Sequence, residues 1–94
     1  MDAQRIVAPI KNARWDEACL RQALAAARRQ AGFGARRLGL SRADRDDLHQ
    51  DILLAIVERT DRFDARQGCW ATFVSLLARH VVADRLRADR CQQR

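Results

Sequence analysis

Ninety-four residues, 48% of them apolar and 32% charged, suffice for one small core and not for two. Cys19, Cys69 and Cys91 are an odd number at wide spacing, and no apolar run approaches the roughly 18 residues of a membrane span, which argues against a disulfide framework, a zinc site and a membrane partner. The net charge of +6 is unevenly placed, +5 over residues 1–40, −3 over 41–64 and +4 over 65–94, so either it serves solubility alone or two different partner surfaces are present.

The absence of a signal-peptide h-region and the cysteine usage fit a reducing, cytoplasmic location. Alanine, leucine and arginine dominate, and no segment alternates as a strand would, so an all-α fold is expected: a small domain of three to four helices. Residues 1–12 read as a flexible arm containing Pro9, residues 13–90 as the helical domain, and 91–94 as a tail. Asn12 is the expected N-cap of a helix over Ala13–Ala31, with Leu20, Ala23, Leu24, Ala27 and Ala31 on its inner face. Gly32-Phe33-Gly34 is expected to stop that helix, with Phe33 plugging the core. Ala35–Leu40 then reads as a basic connection.

Ser41 is the expected cap of a second helix reaching Thr60, whose inward face is Leu48, Ile52, Ala55, Ile56 and a snorkelling Arg59. A different face carries Asp47, Gln50, Asp51, Leu54 and Glu58. Periodicity alone leaves that stripe either as a solvated face or as a docking surface anchored by Leu54. A polar loop, Asp61–Gly68, leads into a third helix over Cys69–Ala88. There Trp70, Phe73, Val74, Leu77, Ala78, Val81 and Val82 form a buried stripe, with Thr72, Arg79, Ala83, Arg87 and Arg90 opposite and His80 on their flank. Asp84 and Arg85 fall close to the apolar stripe. The simpler reading is that the helix has run past the core; the other is that they meet charged partners on an earlier helix.

The unit from Ser41 to Arg90 resembles region 2 of bacterial sigma-70-type factors, in particular the small extracytoplasmic-function and phage- or mobile-element-like members. That family reads roughly D-L-x-Q-E/D, then R-F-D-x-x-x-G, then a helix with A-R-N-x-x-x-D-x-[LI]-R. The matching pieces are Asp47-Leu48-His49-Gln50-Asp51, Arg62-Phe63-Asp64-Ala65-Arg66-Gln67-Gly68, Trp70-Ala71-Thr72-Phe73-Val74, Ala78-Arg79-His80 and Asp84-Arg85-Leu86-Arg87, in order and at the right spacing. His80 stands where asparagine is common, and Cys69 where a Ser-like cap is usual.

The resemblance implies that Asp47, Gln50, Asp51, Leu54 and Glu58 dock on the clamp helices of core RNA polymerase, which turns the stripe from a solvated face into an interface. It also implies that the loop and last helix take the −10 element of a promoter as the single non-template strand. Phe63, Arg66, Gln67, Gly68, Arg79, His80, Arg87 and Arg90 would meet bases and backbone, because unstacked bases want aromatic and amide partners and phosphates want arginine. An anti-sigma factor is a further partner in such a system. The −35-reading domain is missing from the pattern, so a fragment and a stand-alone region 2 are both open. No catalytic constellation, phosphate-cradling glycine loop or metal spacing is present, so neither an enzyme nor a cofactor is expected. The alternative is a sigma-like adaptor or decoy that binds polymerase without reading DNA.

Overall fold

The computed structural model describes residues 16–92; the arm with Pro9, the Asn12 cap and the end of the tail lie outside the described residues. Among the described residues three helices make the domain: α1, Glu17–Leu38; α2, Arg42–Arg59, continued by a 3-10 turn over Thr60–Arg62; and α3, Trp70–Gln92. Among the described residues there is no strand.

Asp16 caps α1, its carboxylate accepting the Cys19 backbone N–H at 2.8 Å. That bond holds the Asp16 carboxyl below its usual range. The expected stop at Gly32-Phe33-Gly34 does not occur. The helix continues to Leu38 and ends at Gly39, which adopts the left-handed conformation at φ 67° and donates its N–H to the Ala35 carbonyl. Arg36 and Arg37 therefore belong to the last turn of α1, where the helix dipole favours them, and not to a connection.

Gly34 answers to packing rather than to capping. A Cβ on Gly34 would lie 2.9 Å from Leu48 Cδ2 and 3.2 Å from Val82 Cγ1, so only glycine lets the three helices meet there. Glycine costs a helix interior about 1 kcal/mol relative to alanine, which this close approach offsets. With the helix unbroken, Phe33 faces outward and is 41% exposed. Its ring lies under the Arg37 guanidinium, 5.8 Å from ring centroid to Cζ, and plugs nothing.

The buried face of α1 is built of Ala23, Ala26, Ala27, Ala31, Gly32, Gly34 and Ala35. Leu20, expected inside, is 44% exposed. Thus α1 supplies proximity, and its neighbours supply volume: Leu48, Ile52 and Ile56 from α2, Trp70, Val74, Ala78 and Val82 from α3. The α2 expectations hold at its start, where Ser41 Oγ accepts the Asp44 N–H at 3.1 Å, and on its inner face, where Leu48, Ile52, Ala55 and Ile56 are buried. At its end the buried Thr60 hydroxyl donates to the Ile56 carbonyl at 2.7 Å.

Trp70 Nε1 donates to the Cys19 carbonyl at 2.9 Å, joining the starts of α1 and α3. Gly34, Leu48 and Val82 meet at the other end, so α1 and α3 run in the same direction and α2 runs against both. On α3 the expected stripe is inside, with Trp70, Val74, Ala78 and Val82 buried and Phe73, Leu77 and Val81 half-buried beside them. The helix has not run past the core at Asp84 and Arg85, since Leu86 still packs on it. Instead Arg85 reaches Asp51 of α2 at 4.0 Å, and Asp84 pairs with Arg87 one turn on.

Candidate functional site

The segment between α2 and α3 is held by its own backbone. Phe63 donates its N–H to the Thr60 carbonyl at 3.1 Å, and Gln67 donates to the Asp64 carbonyl at 2.9 Å. Asp64 organises the turn: one carboxylate oxygen accepts the Arg66 N–H at 2.9 Å, the local bond that makes aspartate a turn residue. The Arg66 guanidinium then spans both carboxylate oxygens, at 3.2 and 3.3 Å. This fork holds the Asp64 carboxyl below its usual range.

Behind the turn three aromatic rings touch one another. Phe63 stands edge-on to Trp70, with centroids 5.3 Å apart and planes at 85°, and lies 5.2 Å from Phe73. Trp70 and Phe73 are 5.5 Å apart. Such pairs add about 0.5–1.5 kcal/mol beyond their buried area, enough to fix Phe63 against the start of α3. In front of the rings lies a hollow of about 200 Å³, lined by Arg62, Phe63, Asp64, Gln67, Gly68, Cys69, Thr72, Phe73 and Leu76. Cys69 Sγ sits 3.3 Å from the Thr72 hydroxyl at the first turn of α3. The Thr72 side chain, helped by its backbone N–H, holds the exposed Cys69 thiol below its usual range.

Phe63, Gln67 and Gly68 thus come together in one hollow. Gly68 needs neither a positive φ nor a close neighbour, since nothing lies within 4 Å of where its Cβ would be. Arg66 stands exposed beside the hollow, engaged with Asp64. Arg79, His80, Arg87 and Arg90 are exposed on α3 outside it. Of these, Arg87 is engaged by Asp84, and His80 and Arg87 share a second depression with Arg59, Leu77, Val81 and Ala83. Sequence reasoning misses Thr72 and Leu76 in the hollow, although Cys69, Thr72, Phe73 and Leu76 have the i, i+3, i+4, i+7 spacing of one helix face.

On α2 the residues Asp47, Gln50, Asp51, Leu54 and Glu58 are all exposed. Leu54 is 56% exposed and the neighbouring Val57 57%, an apolar pair set among acids. Val57, three residues after Leu54, extends the stripe beyond the expected set. Among the described residues no group of three or more His, Cys, Asp or Glu could hold a metal, and no helix is long and apolar enough to cross a membrane. What the arrangement can do is bind. A flat ring could lie against Phe63 and Phe73 and present its edge to the Gln67 amide, while the acidic α2 stripe suits a basic partner.

A family model described as Sigma-70 region 2 matches residues 17–91. No curated protein and no solved structure matches the chain.

Proposed function

The chain belongs to the sigma-70 region 2 family, and on that premise we propose that it is a transcription-initiation module that docks on core RNA polymerase through α2 and takes the −10 element as a single strand at the hollow before α3. The observation that carries this reading is the hollow itself. It brings Phe63, Gln67 and Gly68 together over an aromatic floor and opens to solvent, as an unstacked base requires. Stacking on such a floor is worth about 1–3 kcal/mol per base and tolerates sequence, while the Gln67 amide supplies an edge that can discriminate. Arg79 and Arg90 then lie along α3, where the phosphates of the strand would run.

The α2 stripe supports the polymerase half of the reading. Asp47, Gln50, Asp51, Leu54 and Glu58 face solvent together, and the exposed Leu54 and Val57 supply an apolar centre inside an acidic rim. Basic clamp helices would match that rim in charge. The adaptor reading, in which polymerase is bound and DNA is not, draws on one observation: Arg66 and Arg87 are already engaged by Asp64 and Asp84.

Capture of core polymerase by the immobilised chain tests the docking half. Asp47→Arg is a cleaner probe than Asp51→Arg, because Asp51 also faces Arg85 within the fold. With circular dichroism unchanged, Asp47→Arg should weaken capture by about 100-fold or more, since a charge that attracted now repels. Unaltered capture would return the stripe to a solvated face.

A further inference from the structure

At the end of the bundle away from the hollow, the N-terminal half of α2 packs across α1 and leaves two adjoining clefts. One is lined by Arg28, Ala31, Arg42, Arg45, Asp46 and His49 and encloses about 310 Å³. The other, lined by Gly32, Ala35, Arg36, Leu40, Ser41, Arg42 and Arg45, shares Arg42 and Arg45 with it. Four arginines from two helices therefore face a common space. Arg45 Nη2 and Arg36 Nη1 lie 3.4 and 3.6 Å from the point where a side chain on Gly32 would begin, so two guanidinium groups are neighbours over a single glycine.

None of the four has a carboxylate partner among the described residues, although Asp46 stands in the same wall. Arg21, Arg66, Arg85 and Arg87 each reach an acid, whereas Arg29, Arg37, Arg59, Arg62, Arg79 and Arg90 do not among the described residues. What sets the four apart is their convergence on one concave space. In the wall of the first cleft the His49 Nε2 is closed off from solvent and has no hydrogen-bond partner. A gathering of guanidinium groups without carboxylate partners around a concave surface suits an anionic ligand.

We propose that the α1–α2 clefts form a phosphate-binding site, separate from the strand-binding hollow and independent of it. Arg28, Arg42 and Arg45 grip phosphate oxygens, and Arg36 closes the far side. The Ser41-capped start of α2 adds a favourable dipole to the arginines. Two sources offer the same chemistry, a free di- or triphosphate and consecutive phosphodiesters of a nucleic-acid strand. The Arg36 and Arg45 guanidinium groups both lie within ordinary contact distance of Gly32, which places them side by side on the floor of the second cleft.

The test follows the arginine side-chain Nε–Hε resonances of the full chain by NMR during titration, at fixed ionic strength, with inorganic pyrophosphate and separately with a single-stranded oligonucleotide. Saturable shifts in Arg28, Arg42 and Arg45 are expected with at least one of them. Arg45→Gln should weaken that binding about tenfold, the loss of one charge-assisted contact, without changing the melting temperature. Shifts with pyrophosphate alone identify a free phosphate ligand. Shifts with the oligonucleotide that Arg45→Gln weakens and Phe63→Ala leaves intact identify a backbone site. The proposal is overturned if neither titrant moves these resonances saturably, or if Arg45→Gln and Arg42→Gln both bind as the unaltered chain does.

Discussion

The two ends of the bundle are packed by opposite means. At the Gly34 end the helices nearly touch, because α1 offers no side chain and Leu48 and Val82 fill the contact. At the Phe63 end three aromatic rings occupy the space, and a hollow opens in front of them. This contrast decides where each kind of change is felt. Close contact without slack makes the first end intolerant of volume, so the fold depends on it. The second end keeps apolar surface open to solvent, which is useful only to a ligand.

Leu48→Ala should damage the fold most, costing about 2–5 kcal/mol because the removed atoms leave a cavity under a rigid glycine contact. Gly34→Val comes next, at about 1–3 kcal/mol from overpacking against Leu48 and Val82. If the two residues share one contact, the double variant loses less than the two single losses combined, and urea denaturation decides it. Strict additivity would mean that the close end is not the tight joint described. Ser41→Ala, which removes the α2 cap without touching either end, should cost about 1 kcal/mol.

At the ringed end Leu76→Ala should change stability by less than about 0.5 kcal/mol, since the side chain is 44% exposed, while weakening any strand bound in the hollow. The smallest effect belongs to pH. The Asp64 carboxyl is held below the usual 3.8 by Arg66, so the turn keeps this pairing above 3.8 and loses it as pH falls through the lower folded value. The protection factors of the Arg66 and Gln67 amides, taken against the intrinsic exchange rate at each pH, should fall there while the helices still hold.

Much of α2 and α3 is legible in the sequence because their apolar residues are large and periodic. Leu48, Ile52 and Ile56, and Trp70, Val74, Ala78 and Val82, could sit on no other face. The course of α1 is not legible. Its inner face is alanine and glycine, whose hydropathy barely distinguishes inside from outside, and Gly32 and Gly34 look the same whether a helix stops or another helix arrives. Only the positions of Leu48 and Val82, far away in the chain, separate the two cases. In the hollow, Phe63, Gln67 and Gly68 are found through the resemblance, while Leu76 and Thr72 stay hidden as long as α3 is treated as two-sided. That Arg85 meets an acid on an earlier helix is one of the two readings the sequence leaves open, but helix phase does not show which neighbour lies across the groove, so Asp51 itself is not legible.

On the proposed reading the hollow receives a base that has left its stack, and strand choice is the sharpest probe of that. Fluorescence anisotropy on a labelled −10-like sequence, as single strand and as duplex, would be read across a salt series with core polymerase present. Preference for the single strand is predicted, because opening a duplex costs a few kcal/mol that the domain must supply. Phe63→Ala should abolish the preference, Gln67→Ala should change which base is favoured, and Arg79→Ala should flatten the log–log salt slope by about 0.7 for all sequences alike. Equal affinity for the two forms, or tighter binding of the duplex, would rule out a base-receiving hollow and leave a module that binds polymerase without reading DNA.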